Sequence, residues 1–225
     1  MTHFLKKIPL FSSLKDDEIS AINTLSLTKK CSKDTIILLE NEEGDTLFVI
    51  IKGRVKVTTF SESGKEVIFS ILNEGDFFGD MSLLDGKPRS ATIISLEESE
   101  LKLIRREDFT RLIEKHPGIA LTLLEELTLR LRKADERIES LAFLDVTGRI
   151  AGILLQLADE RGDKSMGCVL IKSRPTHQEL ANMVGTTRET VSRVLKQLEN
   201  KNYISMSGKD ITILEPDIFK RDLYL

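Results

Sequence analysis

The sequence is poor in cysteine: only Cys31 and Cys168 occur, and neither has a second Cys or a His at metal-ligand spacing. That excludes a zinc ribbon or a cysteine-ligated iron–sulfur cluster and leaves two ordinary reduced thiols. Long apolar runs are also missing. The longest, such as Leu47-Phe48-Val49-Ile50-Ile51, lasts five residues, against the roughly 20 that a bilayer span requires. The amino terminus reaches Asp16-Asp17-Glu18 without the roughly 7–15-residue apolar stretch of a secretory signal, so no membrane partner and a cytoplasmic location are expected. With five prolines and no low-complexity tract among 225 residues, 40% of them apolar and 31% charged, the chain is expected to fold by burial into one or two domains. A large charge excess is absent too. The net charge of −3 argues against wholesale coating of nucleic acid, but it divides unevenly: residues 146–225 carry +2 and residues 1–145 carry −5. The carboxy-terminal third can therefore face nucleic acid, although the asymmetry does not prove it.

What is present has a clear order. Phe4 to Leu25 suggest short amphipathic helices, with Leu14, Ile19, Ile22 and Leu25 about a turn apart beyond a break at Pro9. From Leu27 short β-branched runs follow one another: 35–39, 46–52, 54–59, 67–72, 91–95 and 100–104. Six of the 13 glycines lie between Gly44 and Gly86 and mark the turns. Short strands at this spacing predict a small antiparallel barrel, roll or sandwich.

After Arg106 the period becomes helical, and Pro117 is placed as the first-turn proline of a long helix. Leu124, Leu131 and Ile138 fall seven apart, as do Leu127, Ala134 and Leu141, which describes an a/d seam over about three heptads. So narrow a stripe, flanked by Arg130, Arg132, Lys133, Glu136, Arg137 and Glu139, predicts a self-associating parallel pair; docking on the chain's own barrel is the alternative. Asp145 is placed as the N-cap of the next helix, with Ile150, Ile153, Leu154 and Leu157 inward. The expected domains are 1–115, 116–144 and 145–225.

The strongest local signal runs from Thr176 to Leu198. Thr176-His177-Gln178-Glu179 and Thr186-Thr187-Arg188-Glu189 each fit the T-x-x-E capping box, with Gly185 between them. Two helix starts ten residues apart, a glycine able to end the first helix and Ala181 allowing close approach describe a helix-turn-helix. At 100° per residue the second helix separates Val191, Val194, Leu195 and Leu198 from Arg188, Glu189, Ser192, Arg193 and Lys196. Arg188 and Arg193 can each bond a guanine through O6 and N7, Glu189 can accept from cytosine N4, and Ser192 or Lys196 can hold phosphate or sugar. Thr176 joins this DNA-facing set from the start of the first helix. The segment Tyr203 to Ile213 reads as a hairpin, making the module a winged helix.

Upstream, Gly75 to Leu84 leads into Asp85-Gly86-Lys87-Pro88-Arg89-Ser90-Ala91-Thr92. A strand, a turn at Gly79, one helical turn and a re-entering strand would bring free N–H groups, a guanidinium and a hydroxyl together as an anion site. On these residues alone an ordinary surface arginine is the competing reading.

Phe78-Gly79-Asp80, Pro88-Arg89-Ser90-Ala91, the long helix, Leu141–Arg149 and Arg188-Glu189-Thr190-Val191-Ser192-Arg193 occur in the order in which they occur in the cAMP receptor protein/FNR family of bacterial transcription regulators, which the chain resembles over nearly its whole length. The resemblance implies an α+β chain: an amino-terminal antiparallel β-roll of the cyclic-nucleotide-binding type, a long dimerisation helix and a carboxy-terminal winged helix-turn-helix. It implies a homodimer reading palindromic double-stranded DNA with half-sites similar to TGTGA, and RNA polymerase as a further partner. Arg89 and Ser90 match the cyclic-phosphate ligands, beside Gly79 and Ala91, and Asp80 stands where a glutamate usually holds the ribose hydroxyl. Ala134 and Asp135 stand where the cAMP receptor protein presents Thr and Ser to adenine. The effector is therefore left open among cAMP, cGMP, cyclic di-GMP, another anion or none. Ser192 is similar to the FNR branch, but that branch's four cysteines are absent. A haem sensor is not expected either, since His3, His116 and His177 all lie outside the roll.

The leading reading is an allosteric regulator with its hinge near Phe143–Val146. A regulator of the same fold that needs no nucleotide is the alternative. A cyclic-nucleotide-binding regulatory subunit would lack the face at 176–213. With no P-loop, metal cluster or nucleophile beside a base, an enzyme is not expected.

Overall fold

The computed structural model describes residues 5–6, 8–12, 14–165 and 167–223. Two compact units divide between Arg130 and Leu131, and each is described by itself.

In the first unit a 3-10 turn over Pro9–Phe11 precedes helix α1 (Asp16–Leu25). Leu14, Ile19 and Ile22 are buried as the pattern predicts, whereas Leu25 is exposed; Phe4 and His3 lie outside the described residues. Two four-stranded antiparallel sheets follow. One has the order β1 (Leu27–Cys31), β8 (Ser99–Arg105), β3 (Thr46–Lys52), β6 (Phe77–Phe78); the other has β2 (Ile36–Leu38), β7 (Thr92–Ser95), β4 (Val55–Phe60), β5 (Glu66–Leu72). β3 shows why its five apolar residues are continuous. Leu47 and Val49 join the helical core with Ile19, Phe109 and Leu123, while Phe48 and Ile50 face the core of the roll with Val55, Ile93 and Leu101. A strand buried on both faces has no wet side to alternate with. Phe48 stacks on Phe78 across the β3–β6 pair, ring centroids 5.0 Å apart.

Helix α2 (Asp80–Asp85) connects β6 towards β7, and α3 (Arg106–Lys115) precedes α4 (Gly118–Phe143). Pro117 lies ahead of α4 rather than in its first turn: its carbonyl accepts from Ala120 and Leu121 N–H. Ile119, Leu123 and Leu127 pack against the core of the first unit. Leu127 thus docks on its own domain, as the alternative reading of the stripe allowed, because positions 119, 123 and 127 lie one helical turn apart on a single face. Leu124, Leu131, Ile138 and Leu141 remain 53–66% exposed.

In the second unit Asp145 caps α5 (Val146–Arg161), its Oδ1 accepting from Gly148 N–H at 2.8 Å. Ile150 and Leu154 are fully buried and Leu157 nearly so. Helices α6 (His177–Val184) and α7 (Arg188–Asn200) precede the hairpin of β11 (Ile204–Ser207) and β12 (Asp210–Ile213). The sheet continues through β10 (Cys168–Ile171) to β9 (Asp163–Ser165), and α8 (Pro216–Leu223) closes the unit. β9 and β10 extend the expected wing into a four-stranded sheet.

Candidate functional site

The turn-rich segment between β6 and β7 folds as its glycines predict: strand, Gly79, α2, Gly86, then a loop to Thr92. Arg89 in that loop is only 5% exposed. Its Nη1 donates to Gly79 carbonyl at 3.0 Å and its Nη2 to Thr46 carbonyl at 3.1 Å, while its buried Nε–H has no partner among the described residues. Two glycines make room for the guanidinium. A Cβ on Gly44 would lie 2.1 Å from Arg89 Nε, and one on Gly79, at φ 82°, would lie 2.9 Å from Nη1. Burial pushes the Arg89 pKa down, Asp45 and Asp80 oppose that, and Arg106 adds to it; the side chain stays cationic.

Asp80 is buried at 4% exposure. Arg130 Nη1 reaches its two oxygens at 3.2 and 3.3 Å, Arg130 Nη2 donates to Phe77 carbonyl at 2.7 Å, and the guanidinium stacks over the Phe77 ring at 4.4 Å. Sequence reasoning placed Arg130 only on a polar flank, since no local pattern connects residues 50 positions apart. Ser90 is exposed and its hydroxyl donates to Met81 Sδ at 3.3 Å; Ala91 is buried beside it. Gly79, Asp80, Arg89, Ser90 and Ala91 are thus all in the first unit. Ala134 and Asp135 are exposed on α4 in the second unit.

The reading face of the second unit is built from its caps. Thr176 Oγ1 accepts from Glu179 N–H at 3.2 Å and Thr176 N–H donates to Glu179 Oε2 at 2.6 Å, the expected reciprocal box. Gly185 ends α6 at φ 71°, a left-handed conformation that costs it nothing. The second box is corrected. Thr187, not Thr186, caps α7, its Oγ1 accepting from Thr190 N–H at 3.3 Å, and Glu189 sits within the first turn. Thr186 follows the left-handed Gly185, and its N–H donates to Ala181 carbonyl at 3.0 Å.

Val191, Val194, Leu195 and Leu198 are buried as predicted, and Arg188, Glu189, Arg193 and Lys196 are exposed. Lys196 pairs with Glu199 at 2.9 Å. The exposed Glu189 carboxyl is held below its ordinary range by its own backbone N–H, then by Thr187 and Arg188, so it is an acceptor at neutral pH. Ser192 departs from the expectation. Its one hydroxyl proton goes to Arg188 carbonyl at 3.0 Å and its oxygen lies 2.7 Å from His177 Nδ1; since phosphate oxygens only accept, Ser192 in this arrangement holds no phosphate. Sequence reasoning also missed the arginines that hold the end of α6. Arg137 Nη2 donates to Met183 carbonyl, and Arg149 donates to Val184 carbonyl at 3.0 Å and to Leu144 carbonyl at 3.0 Å. Carbonyls in the last turn of a helix lack intrahelical donors, and the two guanidiniums supply them.

Among the described residues no group of His, Cys, Asp and Glu could hold a metal ion, and no helix is long and apolar enough to cross a membrane. Residues 28–116 match the cyclic nucleotide-binding domain and residues 148–221 the Crp-like helix-turn-helix domain. Over 183 residues, 81% of this chain and 86% of the relative, the sequence is 42% identical to the cAMP-activated global transcriptional regulator CRP of Salmonella typhimurium. The chain belongs to the CRP family of transcription regulators. The c-di-GMP responsive global regulator CLP of Xanthomonas campestris is similar in structure, with a TM-score of 0.74 and 26% identity over 88% of this chain and 99% of that one. CooA of Carboxydothermus hydrogenoformans shares the fold, with a TM-score of 0.83 and 23% identity over 96% and 94% of the two chains.

Membership in the CRP family makes the exposed face of α7 part of a DNA-binding helix-turn-helix and the roll a cyclic nucleotide-binding domain. Allosteric control by a cyclic nucleotide is typical of the CRP family, and its members matched here are regulators rather than enzymes.

Proposed function

We propose that this chain works as a cytoplasmic homodimer that reads inverted half-sites similar to TGTGA through Arg188, Glu189 and Arg193 and presents bound DNA to RNA polymerase. The observation that carries the reading is the division of α7 into a packed apolar face and an exposed one that bears two guanidiniums and a carboxylate, the donors and acceptor that base edges pair with. Lys196 is assigned to the backbone. Pairing through Leu124, Leu131, Ile138 and Leu141, with Ala134 among them, supports the dimer, since each apolar side chain is left wet in the single chain. Selection of bound duplexes from a random pool tests the assignment. Inverted repeats of the expected half-site support it, and sites without two-fold symmetry contradict it.

The roll fits an anionic effector. Arg89 supplies a buried cation whose Nε–H has no partner among the described residues, Ser90 an exposed hydroxyl, and Asp80 keeps free acceptor capacity beside Arg130. Arg89 and Ser90 would hold the phosphate of a cyclic nucleotide and Asp80 a ribose hydroxyl. Ala134 and Asp135 are assigned to the effector by resemblance alone. A nucleotide supplies differential affinity between two states of the protein, and no more than that affinity can shift them. We favour cAMP on the relationship to the Salmonella regulator; cGMP and cyclic di-GMP, the latter on the relationship to the Xanthomonas regulator, are the other candidates. A second reading, a regulator that needs no nucleotide, is favoured by two observations: both terminal nitrogens of Arg89 already bond backbone carbonyls, and Asp80 is already paired. Isothermal titration with the three nucleotides separates the two. Saturable binding supports effector control, and no heat from any of them supports the second reading.

A further inference from the structure

His177 opens α6, directly after the Thr176 cap, and is half-buried between two elements that must stay in register for DNA to be read. Its bonds fix its protonation state. Ser192 spends its only proton on Arg188 carbonyl at 3.0 Å, so at 2.7 Å it must accept from His177 Nδ1–H. Arg174 has only donors, so at 3.1 Å His177 Nε2 must be the acceptor. Both conditions hold for one species alone, the neutral imidazole carrying its proton on Nδ1.

That imidazole joins three parts of the unit. Through Ser192 it reaches the first two turns of α7. Through Arg174 it reaches the wing, because Arg174 N–H donates to Lys209 carbonyl at 2.9 Å and Arg174 Nη1 donates to Pro175 carbonyl at 3.0 Å. The neighbouring Ser173 N–H donates to Asp210 Oδ1 at 2.9 Å, a second tie to the wing.

We propose that neutral His177 is the positioning residue that locks the recognition helix to the helix before it and to the wing, and that taking up a proton at Nε2 breaks the lock and weakens DNA binding. A proton there would turn the acceptor facing Arg174 into a second donor, and nothing remains between the two but repulsion. The surroundings resist that proton. Burial, then Arg174 from the loop, then Arg188 from α7 hold the His177 pKa below its ordinary value. The positive end of α6 acts in the same direction, and the acidic Glu179 on the same helix is turned to Thr176 N–H instead. The lock is therefore closed at neutral pH and opens in acid.

The inference rests on α7 being the DNA-reading helix, and two measurements keep the two claims apart. The first is fluorescence anisotropy of the full chain on a duplex with inverted TGTGA half-sites, with saturating cAMP, at pH values from about 7.5 down to about 5.5. Wild type should lose affinity by up to about tenfold per pH unit once below the His177 titration point, and His177→Gln, which cannot titrate, should bind at neutral pH with a flatter profile. Superimposable profiles overturn the proposal; so does tighter binding in acid that His177→Gln abolishes, which would mark His177 as a direct phosphate ligand. The second is nitrogen-15 NMR of the imidazole in the free protein. A proton on Nδ1 at neutral pH and titration below the ordinary histidine value support the lock, and a proton on Nε2 overturns it even where no duplex is bound.

Discussion

At the scale of single residues, Arg89 is where effector response should turn, but its environment limits how it can be tested. Arg89→Ala takes the guanidinium from the Thr46 carbonyl, while the Gly79 carbonyl keeps Leu83 N–H at 3.3 Å; a buried carbonyl left without its donor costs about 1–3 kcal/mol, so a lost response in that variant mixes binding with stability. Gly44→Ala is the sharper probe. Its Cβ would fall 2.1 Å from Arg89 Nε, and the guanidinium must leave its cradle. Effector affinity measured by calorimetry should fall at least about tenfold while the circular dichroism spectrum is kept; unchanged affinity would remove Arg89 from the site. In the recognition helix, Arg188→Ala should cost about 1–3 kcal/mol of binding and relax discrimination at one base pair. Equal weakening on all sequences, read by competition among duplexes, would make Arg188 a backbone ligand instead. The exposed face of α7 was legible because charge at helical spacing declares it, and the Arg89 loop because glycines mark its turns. Their partners were not. Arg130 on Asp80, Gly44 beneath Arg89 and Arg174 on His177 are meetings between residues separated by folding or placed by a loop, and no period in the sequence encodes them.

At the scale of elements, α4 carries apolar residues on two faces. Ile119 and Leu123 belong to the core of the first unit and the half-buried Leu127 packs against it, while Leu124, Leu131 and Ile138 are wet in the single chain. Leu131→Asp should yield a monomer by sedimentation equilibrium with the spectrum of a folded protein, because a charge desolvated in an apolar seam is not repaid. An unchanged dimer mass would contradict the seam. Leu123→Ala should behave the opposite way, lowering stability in urea by about 2–5 kcal/mol with the dimer retained. The heptad spacing predicts a partner-seeking stripe, yet it could not say that Leu127 also packs against the chain's own core, since the two faces are adjacent on the helix. Strands β2, β3, β4, β5, β7 and β8 were readable from β-branched runs between glycine turns, and β6 only from the turn at Gly79 that follows it. β9 escaped because Asp163-Lys164-Ser165 is an exposed edge strand with no apolar pattern, held by its pairing with β10.

At the scale of the whole molecule, the sequence carries a regulator's two modules, a cyclic nucleotide-binding domain and a Crp-like helix-turn-helix. Coupling between them, if carried by one effector, must be reciprocal: whatever factor cAMP adds to DNA affinity, the duplex must add to cAMP affinity. Fold and class were legible because many motifs fell in one order. The identity of the effector was not, because spacing marks where an anion would be held and does not tell one cyclic nucleotide from another. The most direct measurement is fluorescence anisotropy at one fixed salt concentration, on a duplex with inverted TGTGA half-sites and a scrambled control, with and without cAMP. Preference for the half-site duplex that rises with cAMP is the predicted result; equal binding to both duplexes in both conditions would contradict it.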